Sequence, residues 1–442
     1  MRKLRKIAIL FLGLVLLASM IAFLYLSTGM KALPATFTNT AFTGTSLYQS
    51  IEKYASFGVH RMASPNDSAS IDWVASEMAA KGFEIDFQTF SSRQFFLEEA
   101  HLQIAEDEYE CVPQWWIPEF SDSLKLQAPL VEYQSDRTDY SNKIVFLVHP
   151  MAEFGAYLGE DLLAKVKEIA ERGAIAIIAA IEGPSSEIYL YNVKPDGPQL
   201  PIPVLMVAAK HQQALRQEAI QEETLSLRIK GHYKPNASTK NIIATRGNPE
   251  ENVIIVSTPL SGWFVNAAER GPGISIFLAL ADWIHTHEIE GNFLFVASGG
   301  HELTHMGADR FLKELAPKPA NTKCWIHLGA SLTAYEWESA NGRLSKTQET
   351  NINQKVCSFS NNNIKLYWHY WRSLGWIPFP AFMGAVGEIK DVKAHGYKNY
   401  IGFGGKHTYF HTPKDNLDCV SPEILEPLGE SMLHMFWQIL ND

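Results

Sequence analysis

Cysteine is scarce: Cys111, Cys324, Cys357 and Cys419 are the four in a chain of 442 residues. So few exclude a disulfide-built scaffold, and the lack of any C-x-x-C pair excludes zinc-ribbon and thioredoxin-type chemistry. One or two disulfides remain compatible with the number, but spacing does not pair them. Charge is thin as well. Only 19% of residues are charged, against roughly 25% in an average soluble protein. The 48 acidic residues outnumber the 38 basic ones, for a net charge of −10. With no long Lys/Arg block, nucleic-acid binding by phosphate neutralisation is excluded. The sequence also lacks a G-x-S-x-G elbow, a P-loop and a G-x-G-x-x-G fingerprint, which removes the common hydrolase, nucleotide and dinucleotide signatures. No internal repeat or low-complexity tract is present.

What is abundant is apolar material: 46% of residues are hydrophobic and 12% aromatic, enough for a large core. One apolar run is special. Arg2, Lys3, Arg5 and Lys6 precede the uncharged stretch Ile7–Leu26. A helix of that length spans roughly 30 Å, the thickness of a bilayer core. A cleaved signal peptide has a shorter apolar region of about 7–15 residues and an A-x-A-like site, which this run lacks. Residues 1–30 are therefore expected to form a cytoplasmic N-terminus and a single-pass signal anchor, with cleavage as the competing reading. The flanking cations place the body outside the cytoplasm, periplasmic or extracellular. The membrane is thus one expected partner.

After the anchor, helical spacing runs from Ser46 to Tyr54 and again from Ser70 to Lys81, with Gly82 as its stop. Phe83–Phe90 alternates as a half-buried strand does. Residues 96–236 hold short strand-like runs around one helix (Asp161–Arg172), notably Lys143–Val148, Ala174–Ile181 and Pro201–Val207. From Asn241 the pattern becomes regularly α/β. The strands are Val253–Ser257, Asn292–Ala297 and Cys324–Leu328; the helices are Gly273–Ile284, Met306–Leu315 and Ser421–Leu440. Strands alternating with helices predict a sheet covered on both faces, with its site in the loops at the carboxyl ends of the strands.

Those loops carry a family resemblance. The segment His60-Arg61-Met62-Ala63-Ser64-Pro65 is similar to an "H-R-x-x-S-P" opening segment, and Tyr409-Phe410-His411-Thr412-Pro413-Lys414-Asp415 is similar to a closing metal-histidine motif. Both resemble the zinc-dependent exopeptidases (metallopeptidase family twenty-eight), over nearly everything after residue 42. The resemblance implies a three-layer αβα sandwich with a mixed central sheet. Residues 42–95 and 239–442 would form the exopeptidase-like domain, and 96–236 a protease-associated-like insertion. It also implies two zinc ions, but the ligand loops depart from the pattern. Thr258 and Leu260 stand where His and Asp belong, Gly329 where a further Asp belongs, and His301 where the general base Glu belongs.

Leucine cannot bind zinc and threonine is a poor ligand. Glu269, Glu302 and His411 remain, enough for at most one zinc ion with a water in its fourth position. On this reading His301 shuttles the proton, Trp263 and Phe264 line the substrate pocket, and the protein is an aminopeptidase-like hydrolase of small peptides. A single-zinc, glutaminyl-cyclase-like acyltransferase is an alternative. The competing reading has no metal: Glu269 pairs with Arg270 or another cation, and the fold serves as a binding or scaffold protein for a peptide or small molecule.

Two smaller signals remain. His301-Glu302-Leu303-Thr304-His305 spells H-E-x-x-H, yet that motif needs a helix, and Ser298-Gly299-Gly300 predicts a loop with a helix starting only near His305. Ser261, beside Gly262, is a nucleophile only if His301 or His411 serves as its base.

Overall fold

The computed structural model describes Leu26 and residues 29–152, 156–340 and 343–442. The expected anchor, Ile7–Leu26, lies outside the described residues except for its last position. Among the described residues no helix is long and apolar enough to cross a membrane.

The first two helices follow their caps. Helix α1 (Gly44–Ala55) starts at Thr43, whose hydroxyl accepts the Ser46 N–H. Helix α2 (Pro65–Ala80) starts at Ser64, whose hydroxyl accepts the Asp67 N–H at 3.1 Å, with proline in its first turn. The chain then forms strands β1 (Glu84–Ile104), β2 (Ser123–Glu132) and β3 (Ile144–Pro150), helix α3 (Glu160–Glu171) and strands β4 (Ala176–Glu182) and β5 (Val204–Val207). Helix α4 (Gln212–Ile220) leads to β6 (Thr224–Arg246) and β7 (Val253–Pro259). After these come α5 (Gly271–Thr286), β8 (Phe293–Ser298), α6 (Met306–Glu314) and β9 (Thr322–Leu328). The last elements are β10 (Lys355–Phe359), β11 (Ile377–Pro380), α7 (Ile389–Ala394), β12 (Tyr400–Gly405) and α8 (Pro422–Asn441).

The sheet order is β11-β10-β12-β9-β7-β8-β6-β2-β3-β4-β5, with the short strand Cys111–Pro113 antiparallel beyond β5 and β1 also paired to β6. It is mixed. Strands β12, β9, β7 and β8 are mutually parallel, β8 meets β6 antiparallel, and β2 through β5 are parallel again. Alternation along the central strands builds a layer on each face. Ile254 and Val256 of β7, Phe293 and Phe295 of β8, and Cys324 and Ile326 of β9 join the core under α1, α5 and α8. Their neighbours Val253, Ile255, Leu294, Val296 and Trp325 join a second core with Phe311 of α6 and Val392 of α7. Helices therefore cover both faces of these strands, as the α/β pattern requires.

A further apolar core is built around β3, β4 and β5, and Met62, Phe90, Trp263, Phe264, Leu303 and Phe410 from outside residues 96–236 join it. The expected limits of the 96–236 region fall inside strands. β1 is 21 residues long and β6 is 23, and the two pair antiparallel from Glu84↔Thr245 to Ile104↔Leu225. This continuous ladder, bulged between Ser92 and Gln94 and between Leu97 and Glu99, carries the chain out of the first region and back again.

Candidate functional site

The carboxyl ends of β7, β8, β9 and β12 bring their loops together, as open α/β sheets do. At the centre lies an internal ion pair. Arg270, the residue preceding α5, places a guanidinium nitrogen 2.7 Å from Glu269 Oε1, with both side chains 1% exposed. The Arg270 Nε–H also donates to the Ser261 carbonyl at 2.9 Å. Burial alone would raise the Glu269 carboxyl, but Arg270 and then His411 outweigh it and hold it down at about 2. Asp415 fixes the loop from behind. Its two oxygens accept the Ala268 and Glu269 N–H groups at 2.7 and 3.0 Å. His407 Nε2, 3.5 Å from Asp415, is held protonated: burial opposes the charge, yet Asp415 raises the ring to about 10.

Of the three expected ligands, Glu269 and His411 meet, with His411 Nε2 3.4 Å from Glu269 Oε1. The Nδ1–H of His411 donates to the Leu190 carbonyl, in the segment between β4 and β5. Glu302 is committed elsewhere. One carboxylate oxygen accepts the Met62 N–H and the other accepts the Ser261 hydroxyl, each at 2.7 Å. Burial raises its carboxyl despite these bonds. From the opening segment His60–Pro65, the Met62 N–H thus holds Glu302. Because the Ser261 hydroxyl proton points at Glu302, Ser261 has neither His301 nor His411 as a base. Among the described residues, the groups of three or more ligand types gathered within 4.8 Å are His301, His305 and Glu388, and His407, Asp415 and Cys419. Glu269, Glu302 and His411 are not such a group.

The departures from the ligand pattern are built in. The Thr258 hydroxyl donates to the Leu328 carbonyl at 2.9 Å, and Leu260 is fully buried in the core. At Gly329 an added Cβ would lie 2.4 Å from the Phe403 carbonyl oxygen, so this backbone has closed against any side chain there. Trp263 and Phe264, the expected pocket-lining pair, are both buried. Trp263 donates its indole N–H to Asn192, its ring stands edge-on to Trp115 at 4.8 Å, and both residues belong to the core around β3, β4 and β5.

His301 lies beside this ion pair, and its Nδ1 is 2.7 Å from Glu388 Oε1. Burial first, and then Arg270 and His305, lower the His301 ring well below its ordinary value. Helix α6 does begin just after His305, as the sequence predicts. The two histidines nonetheless converge, because Thr304 and His305 both take the left-handed conformation at φ 56° and 62°. Their rings sit 4.7 Å apart. Sequence reading missed Glu388, Asp391 and Tyr157, which meet these histidines from distant parts of the chain.

No protein-family profile and no curated protein sequence matches the chain. Solved structures do. A zinc aminopeptidase from Bacillus subtilis superposes with a TM-score of 0.67 at 18% identity, over 92% of this chain and 96% of its own. A peptidase M28 precursor from Shewanella amazonensis gives 0.65 at 14% identity, over 90% and 93%. An aminopeptidase from Aneurinibacillus gives 0.59 at 16% identity, over 90% and 94%. The sequence resemblance is borne out at the level of architecture, and the chain has the fold of the zinc aminopeptidases.

Proposed function

We propose that this protein is a non-hydrolytic member of the zinc-exopeptidase fold, a binding or scaffold protein for a peptide or small-molecule partner. The observation that carries this reading is the Arg270 guanidinium, 2.7 Å from Glu269. Zinc fits poorly among the residues the resemblance assigns to it. A buried cation already neutralises Glu269, Glu302 is spent on Met62 and Ser261, Thr258 bonds a carbonyl, and the backbone at Gly329 leaves no room for a ligand. Metal-assisted hydrolysis needs an open coordination position for water. Here Glu269, Arg270, Glu302 and His411 are all buried, and the segment carrying Leu190, Asn192 and Val193 lies on them through hydrogen bonds to His411, Trp263 and Glu302.

The test is turnover of a panel of aminoacyl anilides and dipeptides by the purified full chain, with and without added zinc. The expected result is no rate above buffer in either condition. Zinc-dependent hydrolysis abolished by Glu269→Gln would overturn the proposal.

The same proposal places the body outside the cytoplasm, tethered by Ile7–Leu26; the cation-flanked apolar run supports this. Protease shaving of intact cells carrying a tag at each end checks it. A C-terminal tag that stays protected until the cells are lysed would contradict it.

A further inference from the structure

We infer that His301, His305 and Glu388 form a binding site for one zinc-class divalent cation, distinct from the Glu269–His411 locus. One potential ligand atom from each lies within 4.8 Å of the others. The set, two imidazoles and one carboxylate, is a standard three-ligand donor set that leaves a fourth position for water. Zinc bonded at about 2.0–2.1 Å to each donor needs the donors roughly 3.3 Å apart, so binding draws them together from within 4.8 Å.

Three further features favour a cation here. With Glu388 as a ligand, His305 keeps an outer carboxylate of its own, Asp391 Oδ2 at 3.1 Å from His305 Nδ1, while Glu388 Oε1 already lies 2.7 Å from His301 Nδ1. Such outer carboxylates orient metal-binding imidazoles and raise their basicity, which is the task left to Asp391 when Glu388 turns to the ion. The charges are also unbalanced. Glu388 is 4% exposed and its ion-pair partners among the described residues are imidazoles, His301 and, at 3.6 Å, His327. Among the described residues no lysine or arginine pairs with Glu388 or Asp391, and Arg270 is already matched by Glu269. Buried charge is ordinarily paired or metal-bound. Finally, the backbone accepts two left-handed non-glycine residues, Thr304 and His305, to set the rings side by side. Conformations of this kind cluster at binding sites, where the surrounding structure holds them. Tyr157, whose hydroxyl is 2.7 Å from His305 Nε2, bonds the nitrogen that Asp391 leaves for the ion, so its hydroxyl turns away when the ion binds.

The other group, His407, Asp415 and Cys419, has no such deficit. The carboxylate of Asp415 holds two backbone N–H groups, His407 Nδ1 meets the Ser331 hydroxyl, and the Cys419 thiol donates to the Lys414 carbonyl.

Titrating the full chain with Co²⁺, purified without a histidine tag, tests the site through the d–d absorption of the bound ion. The expected result is saturation at one ion per chain. His305→Gln and Glu388→Gln should each weaken binding by about tenfold or more, while Glu269→Gln leaves it unchanged. Thermal melting of the same proteins separates lost ligands from lost folding, because zinc should raise the midpoint of the parent but not of the folded variants. Failure of the parent chain to bind, or binding lost in Glu269→Gln but kept in His305→Gln, overturns the site. Because the Glu269 arm reports on the ion-pair locus and the His305 arm on this one, failure here is distinguishable from failure of the non-hydrolytic reading.

Discussion

Arg270 and Glu269 are adjacent in the chain and still pair with each other, guanidinium on carboxylate at 2.7 Å, inside a protein whose fold relatives include zinc aminopeptidases. Two full charges at 1% exposure are tolerated because each neutralises the other, while Asp415 accepts the Glu269 backbone N–H and the Ser261 carbonyl accepts the Arg270 Nε–H.

Removing one partner should therefore cost far more than removing both. Arg270→Met leaves the Glu269 carboxylate with His411 as its remaining ion-pair partner, at an expected cost of about 3–5 kcal/mol. The double variant Glu269→Gln/Arg270→Met should recover most of that loss. Urea unfolding of the four proteins in a double-mutant cycle measures the coupling; additive effects would show that the pair does not act as a unit.

Acid should reveal the same pair. Folding depresses the Glu269 carboxyl from 4.5 to about 2, so it contributes stability that is fully present above pH 4.5 and lost as pH falls towards 2. The contribution is on the order of 3 kcal/mol, from about 1.36 kcal/mol per pH unit. Unfolding followed from pH 5 down to pH 2 should fall more steeply in the parent than in Glu269→Gln.

The alkaline limb should belong to His407. Folding raises its ring from 6.5 to about 10, so its stabilising share is complete below pH 6.5 and lost as pH rises to 10. His407→Gln should flatten the stability profile between pH 7 and 10. An unchanged slope would mean that Asp415 holds its loop without a charged partner.

Trp263 should behave as core. Trp263→Ala should destabilise the fold by about 3–5 kcal/mol, because it empties a packed space beside Trp115 and leaves Asn192 without its indole donor. A variant of parental stability with altered ligand binding would return Trp263 to a pocket.

The helices and central strands were legible because their signals are local. The apolar run Val253–Ser257 and the helix stop at Gly82 each act within one or two turns of chain, whereas the start of α2 at Pro65, five residues before the expected Ser70, was not read. The long β1–β6 ladder was not, since bulges at Ser92/Gln94 and Leu97/Glu99 interrupt the period-two pattern and make one strand read as several. At the site, the mismatched ligand positions and the Glu269–Arg270 pairing could be read because those residues sit in motifs. Glu388 could not, as it joins His301 across 87 residues with no spacing to mark it. The approach of His305 to His301 was hidden for another reason. It depends on left-handed backbone at Thr304 and His305, a conformation that residue type does not announce.

Anomalous diffraction at the zinc edge, from crystals of the protein equilibrated with zinc, tests the central claim most directly. The account predicts no ion bound between Glu269 and His411, where Arg270 stands, and density for one ion among His301, His305 and Glu388. An ion held by Glu269, Glu302 and His411, with the Arg270 side chain displaced, would contradict it.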